Sequence, residues 1–485
     1  MSLLETSTWD GKIFLNGWRT GRGGTADAIE PATGNALGSY GVATADDVAE
    51  AAEAAVAAQR SWAATTPENR AAVLRRAGDL WQEHAEEIED WIMRESGAIK
   101  PKAQLETHIA ANECYEAAAL PSHPAGQVLA TNDDRWSFAR RKPSGVVSVI
   151  APFNFPLILS IRAVAPALAL GNAVLLKPDP RTAVCGGVAL ARVLEEAGLP
   201  AGLFAVLPGG ADVGAAVVEA PQVQVVAFTG STAAGRSVGE AAARGLKRAH
   251  LELGGNNALV VLPGTDVAKA ASAGAFASFL HQGQICMTTG RHVVHESLYD
   301  EYVAALAEKA ANLPVGDPTS GTAALGPIID EKQLKRIDGI VQDAVLHGAR
   351  LAAGGSNDGP FYQPTVLADV ATDNPAWTQE IFGPVAPVVA YSTLDEAVAL
   401  VNENEYGLSV GVLGDVGTAM TLADRLESGK VHINEQTVMD EANAPFGGVK
   451  ASGNGSRIGG AEANIDAFTE VQWLTVRPEI ADYPY

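Results

Sequence analysis

The sequence predicts an α/β protein built on two largely parallel sheets, with a small β element set apart from both. Three observations carry this. From Pro143 onward, β-rich runs alternate with helical ones: VVSVIAP, a helix near Leu157 to Leu170, NAVLLKP, a helix near Thr182 to Ala197, LFAVLPG, a helix near Asp212 to Ala220, VVAFTG, a helix near Thr232 to Arg244, then NALVVL. Parallel strands joined by crossover helices give this pattern. A second alternating region runs from about Gly274 to Val438, with TVLADV, VAPVVAY, LSVGVLG and KVHIN as strand candidates. Residues 123 to 142, and the tail from about Asp466, alternate polar and apolar residues without helical spacing, and are expected to leave the main body and pair elsewhere.

Residues 44 to 119 come before the alternation. They are alanine-rich with helical spacing and read as long surface helices. The apolar region from Gly145 to Leu176 is interrupted by Asn154, Arg162 and three prolines, Pro152, Pro156 and Pro166. It reads as strand, loop, helix and strand, not as a membrane span. A chain of 485 residues has room for two or three domains. Its 57 acidic against 34 basic residues, a formal charge of −23, disfavour nucleic acid and anionic membranes as partners. Three widely spaced cysteines, Cys114, Cys185 and Cys286, form no CxxC pair, and the N-terminal stretch lacks an apolar segment preceded by basic charge. A reducing, cytoplasmic location without a secretory signal is expected.

Several short motifs can carry chemistry, and each also has a structural explanation. The turn FTGSTAAGRS, 228 to 237, follows a buried strand and opens a helix, where free N–H groups favour a phosphate; a tight turn explains its glycines equally. Its P-loop spacing is a poor match, because Arg236 stands where a phosphate-reaching lysine belongs. LLKPDPRT puts Lys177 at the end of a buried strand, either meeting a ligand or snorkelling to solvent. HLELGGNNA sets Glu252 among apolar neighbours, which suits a general base, although most glutamates are solvated. APFNFPL holds Asn154 in a proline-bounded loop, as an oxyanion donor or a turn former. QEIFGPVAP sets Glu380 before a rigid loop. HQGQICMTTGRHVV holds Cys286, a nucleophile or a small buried hydrophobe.

Taken in order, FNFP, LLKP, FTGS, LELGG, GQIC, EIFGP and PFGGVKASG resemble the NAD(P)-dependent aldehyde dehydrogenase superfamily, from about Ile13 to Trp473. GQICMTTGR and HINEQTVMDEANAPFGGVKASGNGSRIGG are most similar to its benzaldehyde and vanillin dehydrogenase branch. The resemblance implies that Cys286 is the nucleophile, that Asn154 and the Cys286 amide hold the oxyanion, and that Glu252 activates the hydrolytic water. No metal is implied. It implies NAD as cofactor, with NADP also possible, held by Ile150, Pro152, Phe153, Lys177, Gly210, Gly214, Phe228, Gly230, Ser231, Leu253, Glu380 and Phe382. Many NAD-preferring relatives carry a glutamate three residues after the lysine. Here Pro180 stands there, beside Arg181. Phe155, Ile285, Met287 and Phe446 flank the motifs that must meet at the carbonyl, and are expected to receive a flat ring or to pack the core. Arg162, where many relatives carry an aromatic residue, is expected to reach a ring substituent or to form an ion pair.

The implied architecture is a Rossmann-like cofactor domain (1–122 and 143–250), an α/β catalytic domain (251–440) and a β oligomerisation element (123–142 and 463–485), in a homodimer or homotetramer. The implied substrate is an aromatic aldehyde, the alternative being broad or aliphatic specificity. A CoA-acylating relative would not need Glu252, and a catalytically dead one would be expected to lose Cys286 or Glu252. A cysteine hydrolase using His281 or His292 would leave the phosphate-type turn and Lys177 unexplained.

Overall fold

The computed structural model describes residues 2–485. The first seven-stranded sheet runs Arg248–Glu252, Val223–Thr229, Val146–Ile150, Ala173–Lys177, Phe204–Val206, Lys12–Leu15 and Trp18–Thr20. Its first five strands are parallel and its last two antiparallel. The second sheet runs Arg350–Ala353, Thr365–Ala368, Val385–Tyr391, Thr289–His295, Asn257–Val261, Ser409–Leu413 and Lys430–Ile433. Only its Arg350–Ala353 edge is antiparallel. The expected strands and crossover helices are present, with one reassignment. NALVVL, read as the last strand of the first alternation, sits inside the second sheet between Thr289–His295 and Ser409–Leu413. An all-apolar strand looks the same in either sheet, so alternation alone cannot assign it.

Two helical readings also change. The alanine-rich region forms Ala45–Ala63, Pro67–Glu83, Ala85–Ser96 and Lys100–Ala119, but the last is no surface helix. Lys102, Glu106, Ile109, Ala110, Glu113 and Cys114 are all buried, and the helix packs against Pro156–Ala169. The helix expected from Thr182 opens with a 3₁₀ turn and a π-helical turn, Val184–Val188, before regular helix at Ala189–Glu196. There the buried Glu95 carboxylate accepts from the Val184 and Cys185 amides at 2.9 and 2.7 Å.

The separate β element is a three-stranded antiparallel sheet of Gly126–Val128, Trp136–Pro143 and Thr469–Val476, with Thr469 opposite Pro143 and Val476 opposite Trp136. The tail strand starts at Thr469 rather than near Asp466, because Ala461–Phe468 is a helix anchored by a fully buried Phe468. Val128, Trp136, Val471, Trp473 and Val476 leave this sheet exposed.

The helix Lys100–Ala119 grips the loop that leaves the first sheet. Lys102 and Glu106, one turn apart and wholly buried, form an ion pair. The Lys102 ammonium also donates to the Asn154 carbonyl at 2.7 Å and lies 4.4 Å over the Phe155 ring. The Glu106 carboxylate accepts from the Leu157 and Ile158 amides at 3.0 and 3.4 Å, meeting the free N–H groups that open helix Pro156–Ala169. Removing one partner of such a pair leaves an uncompensated buried charge. Glu106→Ala should therefore cost about 3–5 kcal/mol of stability in urea unfolding, while the apolar pair Lys102→Met with Glu106→Leu should recover much of the loss. An equal loss in both proteins would mean that the ion pair is not what the loop relies on.

Candidate active site

The strand Val146–Ile150 marks the switch point of the first sheet: the chain continues to Ala173–Lys177 on one side and returns as Val223–Thr229 on the other. Loops leaving adjacent strands there diverge and open a crevice at their carboxyl ends. A cavity of about 580 Å³ fills it, reaching across to the second sheet. Its lining includes Asn154, Cys286 and every predicted cofactor residue except Gly210 and Gly214: Ile150, Pro152, Phe153, Lys177, Phe228, Gly230, Ser231, Leu253, Glu380 and Phe382. The two glycines are not brought in. Gly210 is the exposed N-cap of helix Ala211–Glu219 and Gly214 lies within that helix.

The cavity wall carries donors and acceptors of the kinds that a dinucleotide can engage. Ser231 caps helix Thr232–Arg244 by accepting from the Ala234 amide at 3.3 Å, so that helix presents its positive end to the cleft. A Cβ at Gly230 would meet the Phe228 ring at 2.6 Å. The Lys177 ammonium is buried without an ion pair among the described residues, and burial lowers its pKa. The Glu380 carboxylate, pushed up to about 7 by burial, accepts from the Gly255 amide at 2.9 Å. Its other oxygen lies where a Gly254 Cβ would be 2.2 Å away. Arg181 is no free cation: it pairs with Asp179 and Asp330, each at 2.8 Å, and stacks 4.1 Å over Phe153.

Cys286 rises into the cavity on a strained loop. His281 and Gln282 both have positive φ, 49° and 57°, and Gly283 follows at 65°. Such non-glycine residues cost about 1 kcal/mol or more each and persist only where the surroundings over-determine them. The surroundings here do so. Gln282 donates to the Gly97 and Pro327 carbonyls, the Asn257 amide to the Cys286 and Thr288 carbonyls at 2.8 Å each, and Thr437 to the Met287 carbonyl at 2.7 Å. Burial pushes the Cys286 thiol up to about 12. Glu252 ends the strand Arg248–Glu252, with both carboxylate oxygens buried and unpartnered among the described residues, and burial pushes it up to about 8. The Asn154 backbone is held by Lys102 while its side-chain oxygen has no partner among the described residues.

The four predicted substrate residues come together. Ile285, Met287 and Phe446 form a buried apolar cluster with Leu408, against which Phe155 and Cys286 pack. Arg162 is an ion-pairing residue, bound to Glu113 at 2.8 Å and Asp440 at 2.6 Å, and lies 5.1 Å over the Phe446 ring. Lys430 lies over the same ring at 4.0 Å. The P-loop lookalike dissolves: Arg236 is exposed and meets Glu405 at 3.4 Å. The hydrolase alternative loses its bases as well. His292 is bonded at 2.8 Å to both Ser278 and Tyr302, and burial lowers it to about 3. Burial likewise holds His281 far below the usual histidine range.

Sequence reasoning missed Lys102, Glu106, Asn257, Thr437 and Lys430. The first two were visible only as an i, i+4 pair in a helix taken for a surface one. Asn257 and Thr437 lie inside quoted motifs, but their partners are distant backbone carbonyls that no local pattern marks.

The chain matches the model of the aldehyde dehydrogenase family over residues 18–474. It is 62% identical, over the whole of both chains, to a vanillin dehydrogenase of Amycolatopsis sp.. It is 46% identical, over 99% of each chain, to a benzaldehyde dehydrogenase [NAD(+)] of Pseudomonas putida. Its fold superposes with a TM-score of 0.94 and 36% identity on a salicylaldehyde dehydrogenase from Pseudomonas putida G7 complexed with salicylaldehyde, covering 98% of this chain and 99% of that one. A cleft lined by a cysteine, with an unpartnered buried glutamate next to the loop that lines it, agrees with these likenesses, and the chain belongs to the aldehyde dehydrogenase family.

Proposed function

We propose that the protein oxidises aromatic aldehydes of the benzaldehyde and vanillin type to carboxylic acids with NAD⁺, using Cys286 as nucleophile. One observation carries the reading most directly: Cys286 and Asn154 share the cavity that Lys177 and Glu380 line, and Glu252 stands next to it with no partner. The Cys286 thiolate attacks the carbonyl carbon, and the resulting oxyanion is held by the Asn154 amide and the Cys286 backbone N–H. Bound NAD⁺ supplies the hydride acceptor that turns the thiohemiacetal into a thioester. Lys177 and Glu380 suit the two ribose hydroxyl groups, and the turn Gly230–Ser231 suits the pyrophosphate. Gly210 and Gly214 are not included in this set. Glu252 then takes a proton from the water that hydrolyses the thioester. A cavity of about 20 Å³ bounded by Glu252, Thr229, Arg162 and Phe446 is large enough for a single water molecule.

In this reading residues 1–122 and 143–250 form the cofactor domain, 251–440 the catalytic domain, and 123–142 with 463–485 the element that joins copies into a dimer or tetramer. The exposed Trp136 and Trp473 on the three-stranded sheet support the last assignment. No helix among the described residues is long and apolar enough to cross a membrane. Three unpaired cysteines favour a reducing cytoplasm.

The roles separate kinetically. Cys286→Ala abolishes turnover while NAD⁺ still binds, Glu252→Gln gives a burst of reduced cofactor and then stalls, and Asn154→Ala lowers kcat by roughly 10²- to 10³-fold. Glu252 accepts a proton only when ionised, a fraction that grows as pH rises through about 8. Turnover limited by thioester hydrolysis should therefore rise between roughly pH 7 and 9 in the natural protein. Full steady-state activity in Glu252→Gln would remove the assignment.

Cofactor choice follows from Asp179 and Arg181. With no glutamate at position 180 to repel a 2′-phosphate, NADP⁺ should be used measurably, but below NAD⁺, because the Arg181 charge is already met by two carboxylates. Asp179→Asn should raise the NADP⁺ to NAD⁺ ratio of kcat/KM. No NADP⁺ rate in either protein at millimolar cofactor would contradict this account.

A flat ring against Phe155, Ile285, Met287 and Phe446 gains burial and edge contacts of roughly 0.5–1.5 kcal/mol each. Phe446→Ala should raise KM for benzaldehyde far more than for acetaldehyde. Equal losses for the two, or a natural preference for acetaldehyde in kcat/KM, would point to broad or aliphatic specificity instead.

A further inference from the structure

We propose that Lys430 is a positioning residue for the nucleophile, its ammonium, seated on two members of the apolar cluster against which Cys286 packs, favouring ionisation of the thiol. The inference rests on the assignment of Cys286 above and adds a residue to it. Lys430 opens the edge strand Lys430–Ile433 and turns inward. Its ammonium donates to the Met287 sulfur and, at 3.3 Å, to the Met439 carbonyl, and it lies 4.0 Å over the Phe446 ring. Met287 and Phe446 are members of the cluster against which Cys286 packs, and Met287 is its neighbour in the chain.

What marks Lys430 is the lack of a direct ion pair, with Asp440 and Glu252 acting on it only at longer range. Of the other buried cations near the site, Lys102 pairs with Glu106 and Arg162 with Glu113 and Asp440, while Lys177, likewise without an ion pair, lines the cleft beside Asp179 and Arg181. Arg291, also buried, spends its guanidinium on the Asn256, Leu400 and Val401 carbonyls. Lys430 makes no ion pair among the described residues. A carbonyl, a thioether and a ring face are weak partners for a desolvated ammonium, and a negative charge placed nearby would be favoured.

The charges that face the two groups are few. Asp440, Glu252, Arg162 and Cys286 face Lys430, with His432 two residues along its strand. On the thiol itself, Lys430 favours the anion while Glu380, Asp440 and Glu252 oppose it. Asp440 is paired with Arg162 and also acts on Lys430. In the ionisation the S–H bond breaks, its electron pair stays on Sγ and the proton passes to water.

The test is the pH profile of iodoacetamide alkylation of the full-length protein without aldehyde or cofactor, read by mass at Cys286. Cys114 and Cys185 are buried and report unfolding if they react. Lys430→Met and Lys430→Gln should make alkylation roughly tenfold slower at each pH below the midpoint, as a midpoint raised by about one pH unit requires. Lys430→Arg should keep the natural profile, and Asp440→Asn, which removes an opposing charge, should move the midpoint down. Superimposable profiles in all four variants would overturn the proposal. So would a loss confined to the oxidation of hydroxylated benzaldehydes with alkylation unchanged, which would make Lys430 a reader of ring substituents. Because alkylation needs no aldehyde, its outcome is separate from whether the protein oxidises aromatic ones.

Discussion

A buried lysine and glutamate on one helix hold the loop on which the candidate site is built. Lys102 fixes the Asn154 carbonyl, and Glu106 fixes the two amides that begin the next helix. Neither charge can be removed singly without stranding the other in an apolar interior. The loop between them carries Pro152, Phe153, Asn154 and Phe155, so the residues proposed as cofactor contact, oxyanion donor and ring wall inherit their positions from one ion pair. An apolar pair could replace it in stability, but it would offer neither the cation for the carbonyl nor the acceptor for the helix amides. Directional partners restrict where this backbone can lie, and an active site needs that restriction.

The site itself runs against the rules that make a stable core. Glu252 is buried with both oxygens unpartnered, Glu380 has one backbone amide, and burial pushes both upward. Paired and hydrogen-bonded, these carboxylates would stabilise the protein more but would be held as anions and be poor at exchanging protons near neutral pH. Consistency of packing fails at the same point at which chemistry is needed, as expected of a functional site on an otherwise regular scaffold. The strain at His281 and Gln282 belongs to the same pattern.

Much of this was legible from the chain. The alternation of strands and helices is written in local hydrophobicity, and the chemistry-bearing motifs end strands or open helices, where the fold exposes them. NALVVL shows the limit: a five-residue buried strand has no outward face to reveal which sheet it joins. Helix Lys100–Ala119 shows another, because alanine suits a surface helix and a closely packed one equally. Lys102, Glu106 and Lys430 escaped for a shared reason. Buried charges look like surface charges in sequence, and only the partners reveal the difference. Gly210 and Gly214 stand apart from the other expected cofactor residues. Their glycines matched an expectation, but their helix begins outside the cavity that the switch point opens.

The segment Leu253-Gly254-Gly255-Asn256 ties these parts into one unit. Glu252 is the last residue of the first sheet and Asn257 the first of its strand in the second, so four residues carry the chain between the two. Asn257 holds the Cys286 and Thr288 carbonyls, which fixes the cysteine loop to the end of that short link. Along it, a Cβ at Gly254 would fall 2.2 Å from a Glu380 oxygen, and one at Gly255 2.6 Å from the Cys286 carbonyl. The glycines are therefore demanded by close approach and not by flexibility, since neither has a left-handed φ. A link this short and this crowded leaves little freedom between the residue proposed as base and the one proposed as nucleophile, although they belong to different sheets. The relative placement of the two groups is thus set by covalent chain and contact, while the pair Lys102–Glu106 fixes the backbone of the third, Asn154.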